Sequence, residues 1–587
     1  MKKILLNGEA LKWQDVIAIS YHDAFTEIDT AKLQQSRDYI VQKVNENKII
    51  YGVTTGFGSN TDKYIAADKT EILQLNLLRS HACGVGAPLS RAITRAAMAI
   101  RLNTLLKGHS GVQESTVRQL QFLLNNKIHP IIPEQGSVGA SGDLCPLAHM
   151  ALPLIGEGEL EYDGQRYDTE TFLKTEMSVH IGFKPVTLSY KEGLALTNGT
   201  TIICAAGVVA LHLAVQILES ATLSSALLFE AIGARKNAFA FEKIHLARRH
   251  SGQIAIANQL TQLLSDSTFI NISQQHIIKH VLASDAIKSE IGSTEMITVL
   301  EQLAAETDVQ KQQQIPDQLI YALRATGKSA LADLFLFAKK KWKPQDAYSI
   351  RCVPQVFGAT KAAIDHVEEI LNNELNAAGD NPLIFAEEDA VISGGNFHGQ
   401  PVALIMDYLK LAIAEIGNIC ERQINKLVDA STNDVLPPFL IEGSGLNNGM
   451  MIPQYVAASL VSENKVLVHP ASADSVPTCE NTEDHVSMGT IAARQAIQIC
   501  GNVERIISIA LLTGFYAFRL REKQLLQFEL KLHQSSSTQK LMNLLQKIDP
   551  ELNASDFLKT DRYLSKEINA VNNNFGSIAK LASDLLH

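Results

Sequence analysis

The segment Pro133-Glu134-Gln135-Gly136-Ser137-Val138-Gly139-Ala140-Ser141-Gly142-Asp143-Leu144 carries the most chemically suggestive pattern in this sequence. A phosphate-binding loop would need the Lys and Ser/Thr of a Walker A motif, and they are missing here. Gly327-Lys328-Ser329 has that ending, but Ala322 stands where its leading glycine belongs. A dinucleotide fingerprint fails too, because each pair of glycines is separated by two residues. Ala140-Ser141-Gly142 offers another chemistry. In a sharply bent backbone the Gly142 amide nitrogen can attack the Ala140 carbonyl carbon, and glycine leaves that attack unobstructed. Loss of the Ala140 oxygen as one water would close the ring, and loss of the Ser141 hydroxyl as a second would leave an exocyclic methylene. The product is a 4-methylidene-imidazol-5-one, an electrophile that no unmodified side chain supplies. By itself the tripeptide is equally an ordinary Gly/Ser turn, so its neighbours decide.

Gly136 to Asp143, followed by Pro146-Leu147-Ala148-His149, closely resembles the signature of the histidine/phenylalanine/tyrosine ammonia-lyase family, which includes related aminomutases. Further family-like segments follow in the family's order. They are Tyr51-Gly52-Val53-Thr54-Thr55-Gly56-Phe57-Gly58, Leu194 to Thr200, Gln345-Asp346-Ala347-Tyr348-Ser349-Ile350-Arg351, Asp380-Asn381-Pro382-Leu383, Asn396-Phe397-His398-Gly399 and Glu483-Asp484-His485-Val486-Ser487-Met488. The resemblance spans about Ile50 to Leu520. It implies an ammonia-lyase-like fold, a homotetramer with active sites built from three subunits, and a self-formed ring from Ala140-Ser141-Gly142 as the electrophile. No metal and no dissociable cofactor is expected.

Eliminating ammonia from an α-amino acid is hard, because the amine leaves poorly and the β-proton is not acidic. The resemblance makes Tyr51 the base that removes this proton, which a phenol does only if its setting lowers its pKa. Arg351 resembles the residue that grips the substrate carboxylate, where a planar fork suits bidentate pairing. Asn198 would hydrogen-bond the modified ring. Tyr348 and Gln345 would line the same cavity, and Phe397 would form an apolar wall. His149, His398 and His485 lack metal-like spacing and are taken as structural.

Substrate choice rests on two places. Ser80-His81 is similar to the selectivity pair of the histidine enzymes, although some tyrosine lyases and aminomutases share it. Glu483 stands where phenylalanine and tyrosine members usually have Gln, and a carboxylate suits an imidazole N–H. The expectation is L-histidine converted to urocanate, with a tyrosine ammonia-lyase or tyrosine 2,3-aminomutase as the alternative. Three positions depart from the histidine pattern: Thr54 replaces Asn, Thr197 an apolar residue and Cys145 an Ala. About 90 residues separate Gly252 from Gln345, more than in typical bacterial histidine members.

The elements that must position these groups are mainly helical. From Pro401, apolar Val402, Ile405, Leu409, Ala412, Ile416 and Ile419 recur at alternating spacings of three and four. That is a heptad-like stripe, predicting a helix to about Val428, roughly 40 Å long. Ile499, Val503, Ile506 and Ala510 form a second stripe, so a long central helical bundle is expected. Residues 1–200 read as a mixed α/β region with short strands at Lys127–Ile132 and Leu160–Tyr167. Residues 201–587 read as the helical region, with a Gln-rich insertion at about 284–340 (Gln310, Gln312, Gln313, Gln314). The apolar run Ile202–Leu218 is broken by His212 and Gln216 and is read as a buried helix rather than a membrane span.

Bulk properties narrow the class. The 587 residues are 46% hydrophobic and 19% charged, with a formal charge of −10. This balance argues against nucleic acid or an anionic membrane as partner. Seven cysteines lie far apart with no C-x-x-C, as in a reduced cytoplasmic protein. Ile4-Leu5-Leu6 is too short for a signal-peptide core. The expected partner is a small amino-acid substrate.

Overall fold

A computed structural model of the chain describes residues 2–306 and 313–587. It is 62% helical, and among the described residues no strand exceeds four residues, so the fold is mainly α. The chain forms two compact units. The first comprises Met1–Leu213, Ile364–Leu411 and Val468–Gln498, and the second Ala214–Ala363, Ala412–Leu467 and Ile499–His587. The glycine-rich region 1–200 falls wholly in the first unit. The described part of segment 284–340 falls wholly in the second, while Gln310 and Gln312 lie outside the described residues.

Short strands serve the first unit as local fasteners. Strands β1 (Lys3–Leu6) and β2 (Phe25–Ile28) pair in parallel, and β3 (Val85–Pro88) pairs antiparallel with β5 (Pro133–Gln135). A three-stranded sheet runs β4 (His129–Pro130), β6 (Glu159–Tyr162), β7 (Gln165–Asp168), and β8 (Leu383–Phe385) pairs with β9 (Ala390–Ile392). The β3–β5 pair matters most, since it delivers the chain into Gly136. Helix α1 (Thr70–His81), helix α2 (Leu144–Ala151) and the short helix α3 (Glu192–Thr197) surround that point.

The long helices follow the apolar stripes. Helix α4 (Thr201–Ile232) absorbs the apolar run beginning at Ile202, and helix α5 covers Val353–Glu374. Helix α6 (Gln400–Val428) contains the stripe from Val402, whose Val402, Ile405, Leu409, Ile416 and Ile419 are buried. Helix α7 (Gly489–Leu526) contains the second, with Ile499, Val503, Ile506 and Ala510 buried. Helices α4 and α7 are long and apolar enough to cross a membrane. Their most apolar windows are 78% and 72% buried within the protein, as core helices are. Segment 284–340 contributes the helices Asp285–Ile291, Thr294–Ala305, Asp317–Ala325 and Ser329–Lys340.

Candidate active site

All groups described first belong to the first compact unit. After β5 the chain enters a glycine-rich bend whose shape is dictated by close backbone approaches. Gly139 and Gly142 have φ of +72° and +73°, and a Cβ on Gly142 would fall 2.2 Å from the Gly199 carbonyl oxygen. No other residue fits there without displacing backbone. The bend is laced to the start of α4: Gly199 N–H donates to Ser141 O (3.2 Å), and Asp143 N–H donates to Gly199 O (2.8 Å). Met488 N–H donates to Val138 O at 2.9 Å from the far side. Ala140 packs against Val486 and Met488.

Asp143 is the central fastener. It is fully buried, and its carboxylate accepts from Ile202 N (2.8 Å), Ile203 N (2.9 Å), Thr490 Oγ1 (2.9 Å) and Ser137 Oγ (3.1 Å). It therefore caps the N-terminus of α4, two of whose first free N–H groups it satisfies. Burial pushes its pKa up to about 6, against the lowering pull of these donors. Arg101 holds the other wall. Its buried guanidinium donates to the Asn198 carbonyl (2.9 Å) and the Ala195 carbonyl (3.2 Å), and burial lowers its pKa to about 10. Lys191 and Asp380 form a buried ion pair that pins the entry to α3.

These supports surround a cavity of about 580 Å³ lined by Tyr51, Ser80, His81, Ser141, Asn198 and Glu483, among others. That volume is within the range of small-molecule sites. Ser80 and His81 close α1, and Ser80 Oγ lies 3.0 Å from His81 Nδ1. Burial lowers the His81 pKa, with the Leu77 carbonyl and the Glu483 charge opposing. Asn198 caps the C-terminus of α3, and its buried Oδ1 has no hydrogen-bond partner. Ser141 Oγ donates to Glu483 Oε1 at 3.2 Å across 342 residues of sequence. The Tyr51 hydroxyl accepts from Gly58 N–H at 3.1 Å. Its pKa is raised, not lowered: burial dominates, the Gly58 N–H opposes, and the Glu483 charge and Cys479 add to the rise.

The bend fits the self-formed ring. Gly142 brings a side-chain-free nitrogen into a sharp turn, the Ser141 hydroxyl faces the cavity, and Asn198 carries an unpartnered buried polar atom beside it. Among the described residues, no group of three or more His, Cys, Asp or Glu gathers as metal ligands. His149 Nε2 accepts from Gly84 N–H (3.0 Å), and the His398 and His485 rings lie tilted with centroids 5.3 Å apart. All seven cysteines are free thiols.

Four other candidates lie elsewhere. Phe397 is in the first unit, half-buried, and does not line this cavity. Gln345, Tyr348 and Arg351 belong to the second unit. There the loop is anchored through the Asp346 side chain, whose Oδ2 accepts from Arg235 N–H (2.7 Å), and through the backbone at Ser349, whose O accepts from Gln423 Nε2 (2.9 Å). Arg351 Nε donates to Asp346 O (3.1 Å) and its guanidinium sits 4.4 Å over the ring of Tyr348, which is 70% exposed. The departure at Thr54 is structural. Its buried hydroxyl donates to Lys48 O (2.7 Å) and accepts from Ile50 N–H (2.8 Å), and it does not line the cavity. Asp143, Arg101, Thr478 and Cys479 were not singled out from sequence for this site. Asp143 carried a signal as the end of the Gly136–Asp143 signature, and Arg101 as a charge between Ile100 and Leu102 in the helix Arg91–Leu105.

Comparison with known proteins agrees with this geometry. The family model for aromatic amino acid lyases matches residues 11–547. A histidine ammonia-lyase from Bacillus subtilis is 41% identical over 568 residues, covering 96% of this chain and 95% of its own length. The crystal structure of histidine ammonia-lyase from Trypanosoma cruzi superposes with a TM-score of 0.79 at 34% identity, covering 99% of this chain and 95% of that one. Tyrosine aminomutase from Streptomyces globisporus gives 0.81 at 31% identity, covering 99% and 98%. Motif order, the clamped Ala140-Ser141-Gly142 bend and a match along nearly the whole chain converge, and the chain belongs to the aromatic amino acid lyase family.

Proposed function

We propose that this protein removes ammonia from L-histidine to give urocanate, as a cytoplasmic homotetramer using a 4-methylidene-imidazol-5-one formed from Ala140, Ser141 and Gly142. The Glu483 carboxylate carries this conclusion, standing 3.2 Å from Ser141 Oγ in the cavity that Ser80 and His81 line. It suits a substrate whose side chain offers an N–H, as imidazole does. The ring supplies an electrophile that loosens the amine. Tyr51 takes the β-proton through a small deprotonated fraction that grows with pH, since its pKa is raised. His81 and Ser80 hold the side chain, and Asn198 hydrogen-bonds the ring. Arg351 binds the carboxylate, with Tyr348, Gln345 and Phe397 completing the walls.

The exposed Gln345 and Tyr348 on the segment 345–351 support assembly from several subunits. So does an apolar stripe on α6, where Leu404, Tyr408 and Leu411 recur at four- and three-residue spacing and are 47–55% exposed. Such a stripe on a long helix is what a neighbouring helix covers. The likeness to a tyrosine aminomutase keeps a tyrosine lyase or tyrosine 2,3-aminomutase as the second reading. Near-UV absorbance with L-histidine, L-tyrosine or L-phenylalanine in separate cuvettes separates them. A urocanate band with histidine alone is expected. A coumarate band with tyrosine, or a β-amino acid product, overturns the substrate assignment.

A further inference from the structure

Glu483 ends a turn that closes on itself. Thr478 N–H donates to Glu483 O (3.0 Å), and Glu483 N–H donates to Thr478 O (3.3 Å). Between them Cys479, Glu480 and Asn481 have φ of +51°, +54° and +65°, three successive non-glycine residues in the left-handed region. L-residues rarely adopt that conformation in succession, and it persists only where the surroundings over-determine it. Here Cys479 Sγ is seated against Gly58, where a Cβ would fall 2.3 Å from the sulfur. Gly58 N–H in turn donates to the Tyr51 hydroxyl. The turn is thus docked on the hydrogen bond that orients Tyr51.

Inside this turn the Thr478 hydroxyl donates to Glu483 Oε2 at 2.8 Å, while Oε1 is the oxygen facing Ser141. The two oxygens of a carboxylate are chemically equivalent, and its terminal torsion is soft. A single fixed donor on one oxygen makes them different. We propose that Thr478 is a positioning residue, whose hydroxyl ties down one oxygen of Glu483 so that the other is presented to the substrate side chain. This rests on Glu483 being the acceptor for that side chain. The groups that sense or contact Glu483 are Tyr51, His81, Ser141 and Thr478. Tyr51 and His81 both sense its charge, so its placement also tunes the two proton-carrying groups of the cavity.

The test compares Thr478→Val and Thr478→Ser by kcat, KM and pH profile, with intact mass and thermal midpoint confirming folded, processed protein. Thr478→Val should lower kcat/KM by about 10- to 100-fold, the scale for losing a hydrogen bond to a charged group. Thr478→Ser should restore most of the activity and the wild-type profile. In a Glu483→Gln background the Thr478→Val change should have little further effect. Wild-type kcat/KM and pH profile in Thr478→Val would overturn the proposal. So would a serine variant as impaired as the valine one, or full additivity with Glu483→Gln. The assays use whichever amino acid the wild type deaminates. A wild type acting on tyrosine and not histidine therefore refutes the substrate assignment while still testing Thr478.

Discussion

Residues 136–143 and residues 345–351 are both short polar connections, yet they are held in opposite ways. The first has backbone and side chains immobilised together. Gly142 is pressed against Gly199, Asp143 accepts four hydrogen bonds, and Ala140 is buried. The second has an anchored backbone, but Tyr348 stands in solvent and Gln345 is exposed. The difference separates two requirements. Closing a five-membered ring from backbone atoms needs a geometry fixed before any substrate arrives, which one chain can supply by close packing. Gripping a carboxylate, the role proposed for Arg351, needs only a correctly placed fork, which an anchored loop can carry.

The sharpest way to break this comparison is to set Ser141→Ala beside Arg351→Ala. Both should lose activity heavily, Ser141→Ala on the order of 10⁴-fold or more, as when a covalent-catalysis unit is disabled. Their masses should differ. Arg351→Ala should remain two waters lighter than its sequence predicts, because the bend is built without the second loop. Ser141→Ala has no hydroxyl to lose and should not reach that mass. An Arg351→Ala chain of full unprocessed mass would show the two loops to be interdependent.

Next in size is Tyr51→Phe, expected to cost about 10²- to 10⁴-fold in kcat/KM, the usual range for a general base. The pH dependence sharpens the point. Burial and the Glu483 charge raise the Tyr51 pKa above its ordinary value. The deprotonated fraction should therefore be small near neutrality and grow about tenfold per pH unit, so wild-type kcat/KM should still climb in the alkaline range. That limb should vanish in Tyr51→Phe. A plateau near pH 8 would mean that the assembled protein adds positive charge near Tyr51.

The smallest effect tests a position whose type differs from the histidine pattern without touching the cavity. Thr54→Val removes a hydroxyl that both donates and accepts within its own turn. It should cost about 1–3 kcal/mol of stability by chemical denaturation and leave the order of preference among amino acids unchanged. A changed preference would place Thr54 in substrate selection.

Much of this was legible in the sequence because it is local. The stripe from Val402 marks a helix that runs Gln400–Val428, since a period near 3.6 repeats within each turn. The two expected strands were legible in place but not in length: Lys127–Ile132 is only His129–Pro130, and Leu160–Tyr167 is two strands, Glu159–Tyr162 and Gln165–Asp168, because positive-φ Asp163 and Gly164 turn the chain. The apolar run from Ile202 does continue as a buried helix, to Ile232.

By itself, then, the order of residues determined the chemistry on offer: a Gly142 that bends where side chains cannot go, a serine hydroxyl ready to leave, and helices periodic enough to need neighbours. Only tertiary structure decided which groups meet. It brought Glu483 to Ser141 across 342 residues, and it consumed the Thr54 hydroxyl in the backbone of its own turn. It also turned the expected lowering of the Tyr51 pKa into a rise. Proximity, burial and charge act through space, and no local pattern encodes the distance between residues hundreds of positions apart.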